Sequence, residues 1–84
     1  MQSLDMRALA VQLASLRREM KKTATGPDHD IAIGQIAAAE TAAEEGDSGT
    51  VLRHLKSAGN WALDVATKIG VSVASEAIKK SMGL

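Results

Sequence analysis

Apolar residues recur along the first quarter of the chain at helical spacing. Met6, Leu9, Leu13, Leu16 and Met20 are separated by 3, 4, 3 and 4 positions, a seam two heptads long that Ala10 and Val11 widen. The spacing predicts a helix from about Leu4 to Lys22. Ser3 is placed to cap it. Asp5 falls in its first turn and Lys21 and Lys22 in its last, each sign where the helix dipole favours it. The stretch "KKTATGPDHD" ends the pattern: Gly26-Pro27 marks a loop, and proline is tolerated in the first turn of the helix that follows. A second helix is predicted from about Asp28 to Glu45, capped by Thr25 or Asp28. It carries Ile31, Ile33 and Ile36 and then a nearly pure alanine surface of Ala37, Ala38, Ala39, Ala42 and Ala43. Gly34, in its second turn, costs about 1 kcal/mol relative to alanine. It marks either a close backbone approach or a tolerated exposed position.

The next break is "EEGDSG". Gly46 fits the left-handed position after a helix end, and Asp47 or Ser48 fits the next cap. A short helix from about Ser48 to Ala58 follows, with Val51, Leu52 and Leu55 on one side. Gly59 then reads as a stop and Asn60 as a cap. The alternative is one helix kinked at that point. The last predicted helix runs from Asn60 to about Met82. Asp64, Lys68, Ser72, Ser75 and Lys79 form a single polar stripe on it, and the rest is apolar. Within the apolar part, Ala62, Ala66, Gly70 and Ala74 recur every four residues, with Ala77 three further on. Small residues at that spacing let another helix approach closely. This helix is expected at the centre of the core, with the first two helices against it and Trp61 sealing one end. Its apolar face is wider than one or two neighbours cover, which points to association. The expected interaction residues are Trp61, Ala62, Val65, Ala66, Ile69, Gly70, Val73, Ala74 and Ala77. Met6, Leu9, Leu13, Leu16 and Met20 form a second seam, facing either the chain's own core or another chain.

The fold class is therefore all-α: one domain, a small three- to four-helix bundle with helices at about 4–22, 28–45, 48–58 and 60–82. Composition sharpens this. Of 84 residues, 45% are hydrophobic but only 1% aromatic, so the core is made of thin aliphatic side chains. There is no cysteine, so no disulfide or thiolate metal site is available. Net charge is zero but unevenly spread. Residues 1–26 set Arg7, Arg17, Arg18, Lys21 and Lys22 against Asp5 and Glu19. Residues 27–47 hold Asp28, Asp30, Glu40, Glu44, Glu45 and Asp47 with no lysine or arginine. Residues 48–84 are again basic, with Arg53, Lys56, Lys68, Lys79 and Lys80 against Asp64 and Glu76. That pattern predicts an acidic element packed between two basic ones, in one chain or across chains. The overall basic footprint that nucleic-acid binding requires is absent, and no charged segment followed by an apolar run opens the chain as a signal peptide would.

No catalytic constellation is present in the sequence. HExxH, P-loop and GxGxxG patterns are missing, and no base is placed beside a serine or threonine. His29 lies between Asp28 and Asp30, but adjacent residues on a helix do not converge on one cation, so a solvated helix start is expected there. His54 is expected at the surface. No enzyme activity, metal or cofactor is expected.

The stretch "AAAETAAEEGDSGTVLRHLKSAG" resembles one hairpin of a tetratricopeptide-type repeat, but there is no second copy and the aromatic positions of the repeat are empty. The stretch "HLKSAGNWALDVATKIGVSVASEAIKK" is similar to the C-terminal helical segment of many uncharacterised bacterial proteins, some of them defence- or effector-associated, over about residues 28–84. That resemblance implies a bacterial, cytoplasmic accessory module with no catalytic residues to carry over. The expected function is a non-catalytic interaction or oligomerisation module whose partner is a second copy or another protein. The competing expectation is a membrane-active protein acting through the amphipathic segment 60–82.

Overall fold

The computed structural model describes residues 5–84, and these form four helices: α1 (Met6–Thr23), α2 (Pro27–Glu44), α3 (Ser48–Ile69) and α4 (Ser72–Ser81). No strand occurs among the described residues, so the all-α bundle expected from the periodicity is the fold. α1 and α2 make an antiparallel hairpin. α3 packs on both, and α4 folds back to lie against α3 and α1 without touching α2. α1 and α3 each touch all three of the other helices, in place of the single central helix expected over 60–82.

That last expectation is corrected at Gly70. The helix predicted over 60–82 stops at Ile69, because Gly70 sits at φ 78°, in the left-handed region that favours glycine. The amide of Val71 donates to the Ala66 carbonyl at 3.2 Å and that of Gly70 to Thr67 at 3.3 Å, which closes the helix end. The same turn ends α2 at Gly46, as expected there, with Asp47 donating to the Ala42 carbonyl at 3.0 Å. Gly59 also behaves as a stop, in a limited way. At φ 83° and ψ −170° it kinks α3, and the helix resumes at once.

The caps differ from expectation at two helices. Asp5 is itself the cap of α1, accepting from the amides of Arg7 and Ala8 at 3.1 Å; Ser3 lies outside the described residues. Neither Thr25 nor Asp28 caps α2; Gly26 holds the cap position and Pro27 is the first helical residue. Asp47 caps α3 as predicted, accepting from the Thr50 amide at 3.1 Å and its hydroxyl at 2.6 Å. Val71 holds the cap position of α4 and has no side-chain acceptor. The missing acceptor comes from the far end of the sequence: the Gln12 Oε1 on α1 takes the Ala74 amide at 2.9 Å.

The core is thin, as the composition implies. Seventeen hydrophobic residues are buried among the described ones, and nine of them are alanines, so the helices approach closely. Leu9, Leu13, Leu16 and Met20 form the α1 side, Ile36 with Ala32, Ala39, Ala42 and Ala43 the α2 side, and Val51, Leu55 and Ile78 with the five alanines of α3 and α4 the rest. No polar or charged residue is buried among the described ones. Polar ties run along the seams instead. Arg17 Nε donates to Glu40 Oε1 at 2.8 Å between α1 and α2, and His54 Nδ1 meets Gln35 Oε1 at 2.8 Å between α3 and α2. The acidic helix is therefore flanked by the two basic segments, as the charge pattern predicted.

Gln12→Ala should lower stability by about 1 kcal/mol, a drop in melting temperature of roughly 4–8 °C for a chain this size. Gln12→Glu retains an acceptor, adds the charge a helix start favours, and should melt at or above the parent; two variants that melt alike would contradict the capping role. The bonds from the Thr50 side chain and then its backbone hold the Asp47 carboxyl below its ordinary value of 3.8. A depressed carboxyl contributes its full stabilisation above that ordinary value and loses it as pH falls further, through the lower value it has in the fold. The gap in melting temperature between parent and Asp47→Ala should accordingly close as pH is lowered from neutral to well below 3.8; a gap that stays constant in thermal melts would refute this.

Candidate interaction surface

The residues expected to bind a partner divide sharply by burial. Ala62, Ala66, Ala74 and Ala77 have no exposed surface. The turn at Gly70 splits the small-residue ridge and folds its two halves into the chain's own core. Trp61, Val65 and Val73 are half-buried, packed on the edge of that core. Ile69 and Gly70 remain exposed, and a Cβ placed on Gly70 would meet nothing within 4 Å. Backbone conformation, not a close approach, accounts for that glycine. The second seam is likewise internal. Leu9, Leu13, Leu16 and Met20 are fully buried and Met6 half-buried, so the seam faces the chain's own core. The wide apolar face that suggested association is mostly covered by this refolding.

Four large hydrophobic residues stay uncovered among the described ones: Ile69 at the end of α3, Leu84 at the C-terminal end, and two on the first hairpin. Val11 on α1 and Ile31 on α2 are 64% and 63% exposed. An open groove of about 570 Å³ runs between the start of α1 and the end of α2, over Met6, Ala10 and Ala43, with Arg7 on one rim and Glu44 and Glu45 on the other. A second surface groove lies where Ile69 and Val71 approach Ser15, Arg18 and Glu19 of α1. Neither groove is enclosed, and neither carries a convergent set of catalytic groups. No three metal-ligating side chains cluster among the described residues. No described helix is long and apolar enough to cross a membrane.

Both histidines hold helices together. The His29 ring stacks on the Trp61 ring with centroids 3.7 Å apart and planes 10° from parallel. Its Nδ1 accepts the Thr25 amide at 3.0 Å, which places the ring proton on Nε2. The start of α2 is thereby pinned to α3 just past its kink, where a plain solvated turn was expected. His54, expected at the surface, is half-buried against Gln35. The Arg17 guanidinium is held above the ordinary arginine value by its hydrogen bond to Glu40 and the charge of that carboxylate. Sequence reasoning missed Gln12 and the pairing of His29 with Trp61, because both contacts join distant segments.

The chain matches no protein-family model, and no curated protein or solved structure is significantly similar to it.

Trp61 is the sole aromatic side chain apart from the histidines, so its emission reports this junction alone. His29→Ala should alter Trp61 intensity and wavelength and lower stability by about 0.5–1.5 kcal/mol, read by fluorescence and thermal melting. An unchanged spectrum and melt would mean that the stacked pair is not maintained in solution.

Proposed function

We propose that this chain is a non-catalytic helical interaction module that works by docking the outer face of its α1–α2 hairpin on another protein surface. The observation that carries the reading is apolar exposure on an otherwise closed core: Val11 stands about two-thirds exposed beside an open groove whose floor is apolar and whose rims carry opposite charges. Segregation of acidic residues on α2 and basic residues on α1 supports it, since charge placed by element gives an interface orientation and selectivity. The docking residues of this reading are on α1 and α2, because the ridge of segment 60–82 is occupied within the fold. With the resemblance over residues 28–84, the reading extends to a bacterial, cytoplasmic accessory protein. The membrane-active alternative has segment 60–82 act on a bilayer after release from the bundle; the turn at Gly70 and the burial of Ala62, Ala66, Ala74 and Ala77 lend it no support.

A photo-crosslinking residue at Val11, with another at exposed Lys68 as control, tests the reading in cells that express the chain. Discrete adducts are expected at Val11 and not at Lys68. An adduct of twice the chain mass indicates a second copy, and one of another mass a foreign protein. Absence of any Val11 adduct would sink the proposal.

A further inference from the structure

The side of the hairpin turned away from the core carries two matching stripes. On α1, Arg7, Val11, Ala14, Arg18 and Lys21 follow one another at 4, 3, 4 and 3 positions. On α2, Asp30, Gly34, Ala37, Thr41 and Glu44 do the same. All are exposed or half-exposed, while Leu9, Leu13, Ile36 and Ala39 on the opposite sides of the two helices are buried. Arg7, Val11 and Glu44 open onto one groove, so both stripes belong to a single face. Each stripe has an alanine at its middle and charges at its ends, positive on α1 and negative on α2. Fourteen residues of helix span about 21 Å, so the end charges of one stripe lie at the same separation as those of the other.

Gly34 adds an independent observation. It is exposed, its φ is not positive, and a Cβ there would meet nothing within 4 Å. Nothing among the described residues requires glycine at this place, where it weakens the helix. It leaves the lowest point of the α2 stripe open to an approach from outside.

We propose that a second copy of this chain docks on this face, the α1 stripe of each copy lying antiparallel on the α2 stripe of the other, about a two-fold axis that runs along the helices. Charge selects the axis. A two-fold axis across the helices would lay α1 on α1 and α2 on α2, placing Arg7 opposite Lys21 and Asp30 opposite Glu44 of the second copy, like against like. An axis along the helices sets Arg7 opposite Glu44 and Lys21 opposite Asp30, each twice. Ala14 then meets Ala37 at the centre, and Arg18 lies over Gly34. Two helices of 18 residues each offer a face about 27 Å long and about 20 Å wide, so the dimer buries roughly 1,000 Å² in all, at the lower limit for a specific interface. The association is therefore weak, concentration-dependent and weakened by salt.

The inference rests on the interaction-module reading and narrows it to one occupant. Absolute mass by light scattering, from about micromolar to about millimolar protein, should rise from one chain to two. Gly34→Leu gives the cleanest variant. It replaces an exposed helical glycine by a good helix former, so the melting temperature of the monomer should rise. The added side chain should weaken dimerisation at least about tenfold by overfilling the interface. A paired charge exchange guards against misfolding. Arg7→Glu with Lys21→Glu in one chain, and Asp30→Lys with Glu44→Lys in another, should each abolish dimerisation alone, and an equimolar mixture should restore it as a heterodimer. A parent chain that stays monomeric throughout overturns this inference; the crosslinking result at Val11 judges the module reading separately. A dimer indifferent to Gly34→Leu and to the charge exchange overturns it too, while leaving the broader reading in place.

Discussion

The turn at Gly70 decides where the last third of the chain can pack. Segment 60–82 is too apolar to lie on a small bundle as one straight helix, because a rod exposes the side its neighbours do not reach. A left-handed residue breaks the rod and returns α4 along α1, so that Ala62 and Ala66 on one half and Ala74 and Ala77 on the other all become buried. The reversal creates a second requirement. A helix capped by Val71 has no acceptor of its own for its first amides, and unpaired amides near the core are costly. Gln12 meets the need from α1, which fixes where α4 lands.

With the core closed in this way, charge sets the arrangement of the remaining elements. α2 carries no basic residue and lies between α1 and α3, both of which do. Arg17 and Glu40 join the first pair of helices along a half-exposed seam where neither group loses all its water. The other seam of α2 uses neutral or aromatic contacts, Gln35 with His54 and His29 with Trp61. Polar groups thus orient the helices from the rim, while the interior stays wholly aliphatic.

The local features of the fold were legible in the sequence. The heptad of α1 identified Leu9, Leu13, Leu16 and Met20 as one face, and Gly46-Asp47 announced a stop followed by a cap. Gly70 was misread because glycine four residues from Ala66 and Ala74 satisfies a packing ridge as well as a helix end. A cue was nevertheless available: Gly70-Val71-Ser72 repeats the glycine-any-serine order of Gly46-Asp47-Ser48, where a new helix also begins. The candidate site was less legible. The ridge of segment 60–82 was recognised as a surface made for a helix, but whether that helix belongs to the same chain is decided by where the chain turns. The bond from Gln12 to Ala74 and the stacking of His29 on Trp61 depend on placements that no local pattern encodes.

The alanine core also governs how this sequence is free to drift. Alanine loses no rotamer freedom on burial, so such a core is ordered at little entropic cost, and any enlargement at a position with no free volume forces helices apart. Positions such as Ala39, Ala62 and Ala66 are therefore open only to residues of nearly the same size, whereas the aliphatic partners Leu13, Ile36 and Leu55 can exchange shape among themselves. Descendants of this chain should diverge fastest on the solvent side of α3 and α4 and keep a fixed lattice of small residues beneath it, a record of helix spacing that outlasts the identity of the side chains around it.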